Sequence, residues 1–562
     1  MSNADRAYDR RWWILLVLCL SLVVITLDNT ILNVAIPTLQ RDLNANTSQL
    51  QWMVDAYTLV FAGLLLTAGS LGDRFGRRGA LQLGLAIFAL GSLASAVVTT
   101  ADQLIATRAL MGIGGALIMP STLSILTNVF PAHERGRAIG IWAGVSAIGI
   151  ALGPLAGGFL LSHFYWGSIF LVNIPIAAVA IVAGIFLMPN SKDPHPGKLD
   201  PVGAGLSIAG LFALVYAIIE APQDGWTDPT IVTMFAAAAV LLVVFAIWET
   251  RSTHPMLDVT FFKNPRFTAA SAGITLVFFA LFGYTFLLTQ YFQLVLGYSA
   301  IKTGFALLPF ALILMITAPT SSRIVDRFGT KLVVATGLSL VTLGMLLQTG
   351  LQVSSSYLDV IWRMAVIAFG MGLTLAPSTE SIMGSLPLAK AGVGSAVNDT
   401  TRQVGGALGV AIIGSALSSY YGSHIVHALT GKYPPNVVAA AKSSIGGAID
   451  AASTLGNAGK PVAAAAKAAF VGGLHRGALV ASISALIGAT VAALYLPARA
   501  PRAEIEEQEA ELAAEIGAGH VHSEGGHADG QQADGQRADG PPADGQRADG
   551  QSAPAIDPTP SA

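Results

Sequence analysis

A chain of 562 residues with 53% apolar and only 11% charged residues cannot be an ordinary set of soluble domains, which carry about 25% charged residues. Its net charge of −2 excludes no class of partner, and its one cysteine, Cys19, excludes an intrachain disulfide. The apolar residues fall in long runs separated by short polar gaps, so an all-α integral membrane protein is expected.

In chain order, Arg10 and Arg11 precede an apolar run that continues past Asp28 without a small-residue cleavage site, so it reads as a signal anchor. Fourteen spanning segments are expected: 13–35, 52–71, 80–98, 104–126, 137–160, 168–188, 201–220, 230–249, 268–291, 304–322, 332–350, 359–383, 403–420 and 476–496. Lys and Arg number about nineteen in connections on the N-terminal side of the membrane and about two on the other, Arg41 and Lys302, which puts both termini in the cytoplasm. The long 421–475 connection is expected outside, its Ala-rich stretch 437–470 forming helices that do not span. Beyond Pro497 the material changes. Residues 503–516 read as an acidic helix, and Ala-Asp-Gly then recurs every five residues from Ala528 to Gly550, a composition expected to be disordered. His520, His522 and His527 read as part of that solvated tail rather than as a metal site.

The chain repeats itself. Gly69-Ser-Leu-Gly-Asp-Arg-Phe-Gly-Arg-Arg78 is a basic, glycine-punctuated connection between two apolar runs, and Val325-Asp-Arg-Phe-Gly-Thr-Lys331 echoes it about 255 residues later. Pro120-Ser-Thr-Leu-Ser-Ile125 is matched by Pro377-Ser-Thr-Glu-Ser-Ile382, and Gly149 and Gly153 by Gly405 and Gly409. Two related six-helix halves are therefore expected, at 1–190 and 263–498. Two helices without a repeat partner lie between them, at 191–262, and the tail occupies 499–562.

Charged groups inside the spans carry the functional information, because each costs about 2.5–3.5 kcal/mol at mid-membrane. They are Asp28, Asp55, Arg108, Arg363 and Glu380, with Glu220 and Glu249 near segment ends. Asp28 lies well inside the first segment. A carboxyl group there can be neutral in one part of a cycle and ionised in another, as a proton carrier requires; the structural alternative is an acid hydrogen-bonded to Asn33 or to a neighbouring helix. Asp55, close to Tyr57, reads either as a second proton or cation site or as an interfacial acid. Arg108, a fixed cation, would favour the ionised form of a nearby carboxylate and so promote proton release. Glu380 replaces Leu123 of the first half and reads as a vestibule residue that meets cations. Gly149, Gly153 and Gly157 give segment 5 a smooth face for close helix contact, Gly158 follows, and Pro154 removes a backbone hydrogen bond.

Two six-helix halves with the Asp73-Arg-Phe-Gly-Arg-Arg78 loop between their second and third helices resemble the major facilitator superfamily. Leu27-Asp-Asn-Thr-Ile-Leu-Asn-Val-Ala-Ile-Pro37, Trp52 with Tyr57-Thr-Leu59, Arg108 with Gly112, and Gly149 through Gly158 resemble its fourteen-helix drug:proton antiporter branch. The resemblance covers nearly all of residues 12–497. It implies that Arg108 takes part in proton transfer and that the Gly-Pro form of segment 5 goes with export.

The expected function is proton-coupled export of lipophilic, including cationic, drugs or antibiotics by alternating access, with protons and membrane lipid as the other partners. No cofactor beyond the proton gradient, no metal, no nucleic acid and no enzymatic activity is expected, since no phosphate loop and no nucleophile–base pair stands out. A monomer in the cytoplasmic membrane is expected. Export of one physiological solute (a lipid, siderophore or self-made antibiotic) is the alternative, and a membrane sensor is a third. Asp73 and Asp326, with Arg74, Gly76, Arg77, Arg78, Arg327 and Arg402, are expected to gate the cytoplasmic side. In that scheme Asp73 meets the N-terminal end of segment 13 around Asp399–Arg402, and Asp326 meets Arg135–Arg137.

Overall fold

The computed structural model describes residues 8–43, 45, 47–193, 200–253 and 255–499, and among them it is helical without a strand. Six helices form the first half: α1 (Arg11–Asp42), α2 (Thr47–Phe75), α3 (Arg77–Val97), α4 (Ala101–Val129), α5 (Ala132–His163) and α6 (Asn173–Leu187). Two more follow, α7 (Pro201–Asp224) and α8 (Pro229–Arg251). The second half holds α9 (Pro265–Gln290), α10 (Ala300–Phe328), α11 (Thr330–Gln348), α12 (Tyr357–Met383) and α13 (Ala391–Leu429). It ends with the short α14 (Pro435–Ser443) and α15 (Ile445–Thr454) and the long α16 (Lys460–Tyr495). Among the described residues fourteen helical spans are long and apolar enough to cross a membrane, on α1–α13 and α16, the sixth comprising Ser168–Leu187. The acidic stretch 503–516, the Ala-Asp-Gly repeats and the tail histidines lie outside the described residues.

Local chemistry sets where the helices begin. Pro201, Pro229 and Pro265 occupy first-turn positions, where the missing N–H has no intrahelical partner anyway. Thr100 accepts from the Gln103 N–H, Ser299 from Lys302, and Ser356 forms a reciprocal capping box with Asp359. Two spans run well beyond the expected bounds. The thirteenth starts at Ala391 and not near residue 403, because the polar run Asn398–Gln403 lowers hydropathy without breaking the helix. The last span begins at Lys460 rather than 476, so the short helices of the Ala-rich connection are only α14 and α15.

The repeat is visible in backbone detail. Gly76 and Gly329 both adopt positive φ, 109° and 81°, a conformation that strains any residue with a Cβ. In each half the residue after that glycine donates its N–H to the chain leaving the half's last helix: Arg77 to Ser191 O and Thr330 to Ala498 O. Helix α1 packs on α5, and correspondingly α9 packs on α13. Between the halves, α5 runs along α10 and α2 meets α13. Helix α7 lies against both α2 and α13, and α8 packs mainly on α7. Val232, Val240, Val243 and Ile247 leave α8 with an apolar outer face, as a lipid-facing helix requires.

Candidate functional site

The first half closes around a charged pair. Arg108 Nη1 donates to Asp28 Oδ2, and the two residues are 1% and 0% exposed. Every remaining contact restrains the pair. Arg108 Nε donates to Met53 O at 3.0 Å, and the guanidinium lies 4.5 Å from the centre of the Tyr57 ring. Asn173 Nδ2 donates to Asp28 Oδ1 at 3.0 Å and to Ser92 Oγ at 3.1 Å, while Ser92 Oγ donates to Phe170 O at 2.8 Å. Helices α4 and α6 thus meet α1 on one carboxylate, and α2 and α3 hold its two partners. A buried ion pair of this kind is sustained only if its other lone pairs and donors are also used, and removing one partner costs about 3–5 kcal/mol.

The glycines of α5 hold this site from behind. A Cβ on Gly149 would collide with Thr26 Oγ1 and one on Gly153 with Thr30 Oγ1, the two α1 residues that flank Asp28 by two positions. Gly157 meets Ile31 in the same way. The other face of the motif turns outward: Gly158 abuts Ile301, and Pro154 packs against Gly304 of α10. One helix therefore touches both the Asp28 helix and the opposite half.

The Gly69–Arg78 region forms an inter-half latch. The Asp73 carboxylate accepts from Arg77 Nε at 2.8 Å, from Gly392 N at 2.8 Å and from Val393 N at 3.0 Å. It thus caps α13 at its true first turn, two turns before Asp399–Arg402, because the helix begins earlier than expected. Arg77 reaches Leu388 O and Ala389 O at 2.8 and 3.0 Å, and Gly69 lies on Gly392 with backbone against backbone. Arg78 donates to Ile185 O and Met188 O at the end of α6, and Arg74 lies beside the Phe75 ring. The segment after α6 joins in: Asp193 N donates to Asp73 O at 2.7 Å, and its carboxylate pairs with Lys390 at 3.0 Å.

The second-half loop behaves differently. Asp326 and Arg327 are exposed, and the acid at the start of α5 is Glu380, whose Oε2 would stand 2.5 Å from a Cβ on Gly136. Arg135, Arg266 and Asp326 are the charges that act on it. Glu380 is therefore an inter-half contact on the same end as Asp73. Asp55 is half-buried on α2 and is not among the groups that contact Asp28, and the side chain of Asn33 lies outside the described residues.

Arg402 lies away from the latch. It lines a cavity formed by α5, α9, α10, α11, α12 and α13, whose walls include Ala147, Phe278, Tyr284, Phe310 and Met364. Arg402 is the one charged residue among the described residues of that lining. Its guanidinium lies 4.7 Å from the Phe278 ring centre and 5.2 Å from that of Trp142, with Asp399 Oδ1 at 3.6 Å. Sequence reading missed Asp399 as an intramembrane acid because it fell in the polar run left outside the span; the i, i+3 spacing to Arg402 was the available signal.

The Major Facilitator Superfamily profile matches residues 18–410. The chain is 37% identical to the multidrug efflux pump LfrA of Mycolicibacterium smegmatis, over 87% of this chain and 97% of that one. It is 31% identical to the tetracenomycin C resistance and export protein of Streptomyces glaucescens, over 87% and 93%. The structure of the proton:xylose symporter XylE superposes with a TM-score of 0.54 at 15% identity, covering 89% of this chain and 98% of that one. With its profile match, its full-length relatives and its fold in agreement, the chain belongs to the major facilitator superfamily.

Proposed function

We propose that the protein is a proton-driven exporter of lipophilic compounds, working as a monomer in the cytoplasmic membrane with both termini and the Asp73 latch on the cytoplasmic side. The observation that carries this reading is the separation of two sites within one bundle. One is a dry, fully compensated Asp28–Arg108 pair; the other is a roomy apolar cavity. The first suits proton exchange, since a single proton on Asp28 releases Arg108 and unbalances five helices. The second suits ligands, because its lining is almost wholly apolar with a single charged group. Phe278, Phe282 and Phe310 offer flat apolar walls, and Met345, Met364 and Met371 adapt to varied shapes. Relatives named for multidrug efflux and for resistance support export.

Energetically the scheme closes. A proton-motive force of about 150–180 mV yields roughly 3.5–4 kcal/mol per proton. One proton then sustains a substrate gradient of at most a few hundred- to a thousandfold. The α5 glycines connect the two sites, since the same helix packs on Thr26 and Thr30 of α1 and contributes Ala143, Ala147 and Ala151 to the cavity. The expected cationic substrate finds no carboxylate among the described residues of the lining. The relative named for tetracenomycin C favours a second reading, export of one self-made antibiotic.

Everted vesicles containing the full chain test the proposal. Adding a transported drug to an acid-loaded vesicle should raise the internal pH, and dissipating the gradient should stop drug uptake. Drug accumulation that ignores the proton gradient would overturn it.

A further inference from the structure

The electrostatics of the cavity are one-sided, and this points to the chemistry of its ligand. Its described lining holds three flexible methionines, several phenylalanines and a single charge, the Arg402 guanidinium. That guanidinium is almost removed from solvent, its side chain being 15% exposed. It makes no hydrogen bond within the described residues, and Asp399 at 3.6 Å is beyond hydrogen-bonding distance. Asp399, on the same helix, is 1% exposed, is not part of the lining, and accepts from Asn398 Nδ2 at 3.3 Å. Arg402 is therefore a buried cation clamped between the Trp142 and Phe278 rings, with N–H donors still unspent and facing an apolar space.

A second polar group in the lining is also unspent. Tyr284 is 2% exposed, and its hydroxyl has no hydrogen-bond partner. It lies six residues beyond Phe278 on α9, about 9 Å along the helix axis. A buried polar group left unsatisfied is costly, so both atoms mark places where a ligand's own polar groups would be stabilised.

We propose that the cavity takes amphiphilic aromatic compounds bearing an acidic group, a carboxylate or phenolate, which meets the Arg402 guanidinium while the apolar body lies on the Phe and Met walls. This rests on the reading of the cavity as the substrate site of the exporter. A planar anion can accept two parallel N–H bonds from a guanidinium, which an ammonium-bearing ligand cannot do. Next to Arg402 a cationic ligand would meet repulsion in a poorly screened environment. A second oxygen on the ligand would reach the Tyr284 hydroxyl, which also lines the cavity.

The test uses the full chain in lipid nanodiscs and three matched probes: 1-pyrenebutyrate, its neutral amide, and 1-pyrenebutylamine as the ammonium. Energy transfer from tryptophan to pyrene reports binding without any need for transport. The expected order is carboxylate first, with about tenfold tighter binding than the amide and a wider margin over the ammonium, the worth of one charge-assisted contact. Arg402→Gln should bring the carboxylate-to-amide ratio below about threefold, and Arg402→Lys should keep part of it. Equal or tighter binding of the ammonium by the unaltered protein would overturn the proposal, as would a ratio that Arg402→Gln leaves intact. Should Arg402→Gln fail to fold, the ranking in the unaltered protein and the Arg402→Lys ratio decide. Binding of the carboxylate without proton-coupled export would sink the exporter reading and leave this one standing.

Discussion

The two halves descend from one repeated pattern yet handle an intramembrane arginine in opposite ways. In the first half Arg108 is matched by a carboxylate, a backbone carbonyl and an aromatic face. In the second half Arg402 has aromatic faces and a carboxylate at 3.6 Å, outside hydrogen-bonding distance, and an apolar cavity opens beside it. Arg363, at a depth similar to Arg108, likewise keeps buried Nε and Nη1 atoms without partners. The lesson is a division of labour. In the proposed scheme the compensated charge stores and releases a proton, and the under-compensated one beside the cavity attracts a ligand.

The largest expected effect separates the two sites outright. Asp28→Asn keeps the shape and removes the charge, so the Arg108 guanidinium loses its counter-ion in a dry setting. A substrate gradient of several hundredfold should then collapse to about one, since no proton drives it, while substrate affinity stays within about threefold because Asp28 does not line the cavity. Counterflow and net accumulation, measured side by side in proteoliposomes, check this. Concentrative uptake by Asp28→Asn at the normal rate would remove the pair from coupling and turn attention to Asp55.

The converse substitution sharpens the same contrast. Ala311 is 2% exposed and faces the cavity, so Ala311→Trp would fill the space with an indole. Substrate affinity should fall about tenfold or more, while the Asp28 site, on other helices, keeps its geometry. Equilibrium binding in detergent measures it. Unchanged affinity with a folded protein would place the substrate elsewhere, in the first half.

The smallest effect concerns the latch between the halves. Asp73→Asn leaves an acceptor for α13 but weakens two charge-assisted bonds from backbone N–H groups and the contact to Arg77. A change of about 1–2 kcal/mol, roughly five- to thirtyfold, should favour the state open at the basic end. Spin labels placed across that end would report it as a longer distance population. An unaltered distribution would mean that Gly69 on Gly392 and Glu380 at Gly136 hold the closure without Asp73.

Much of the bundle was legible because hydropathy and chain length dictate it: runs of about 20 apolar residues have few places to go but across a bilayer as helices. The repeat was legible too, since Gly76 and Gly329 mark loops that need positive φ and no Cβ. Candidate acids were found by their cost, as with Asp28. Asp399 escaped because a polar run inside a small-residue helix looks like a connection. What sequence could not supply was pairing across distance. That Arg108 would land on Asp28 and not on Asp55, or that Glu380 rather than Asp326 would face the start of α5, depends on helix rotation and crossing. Those are set by where small residues let backbones approach, Gly149 and Gly153 of α5 against α1 and Gly69 against Gly392. The cavity is decided in the same way, by six helices that fail to fill the space among them. Composition and periodicity thus determined which groups enter the membrane, and packing alone decided which of them meet.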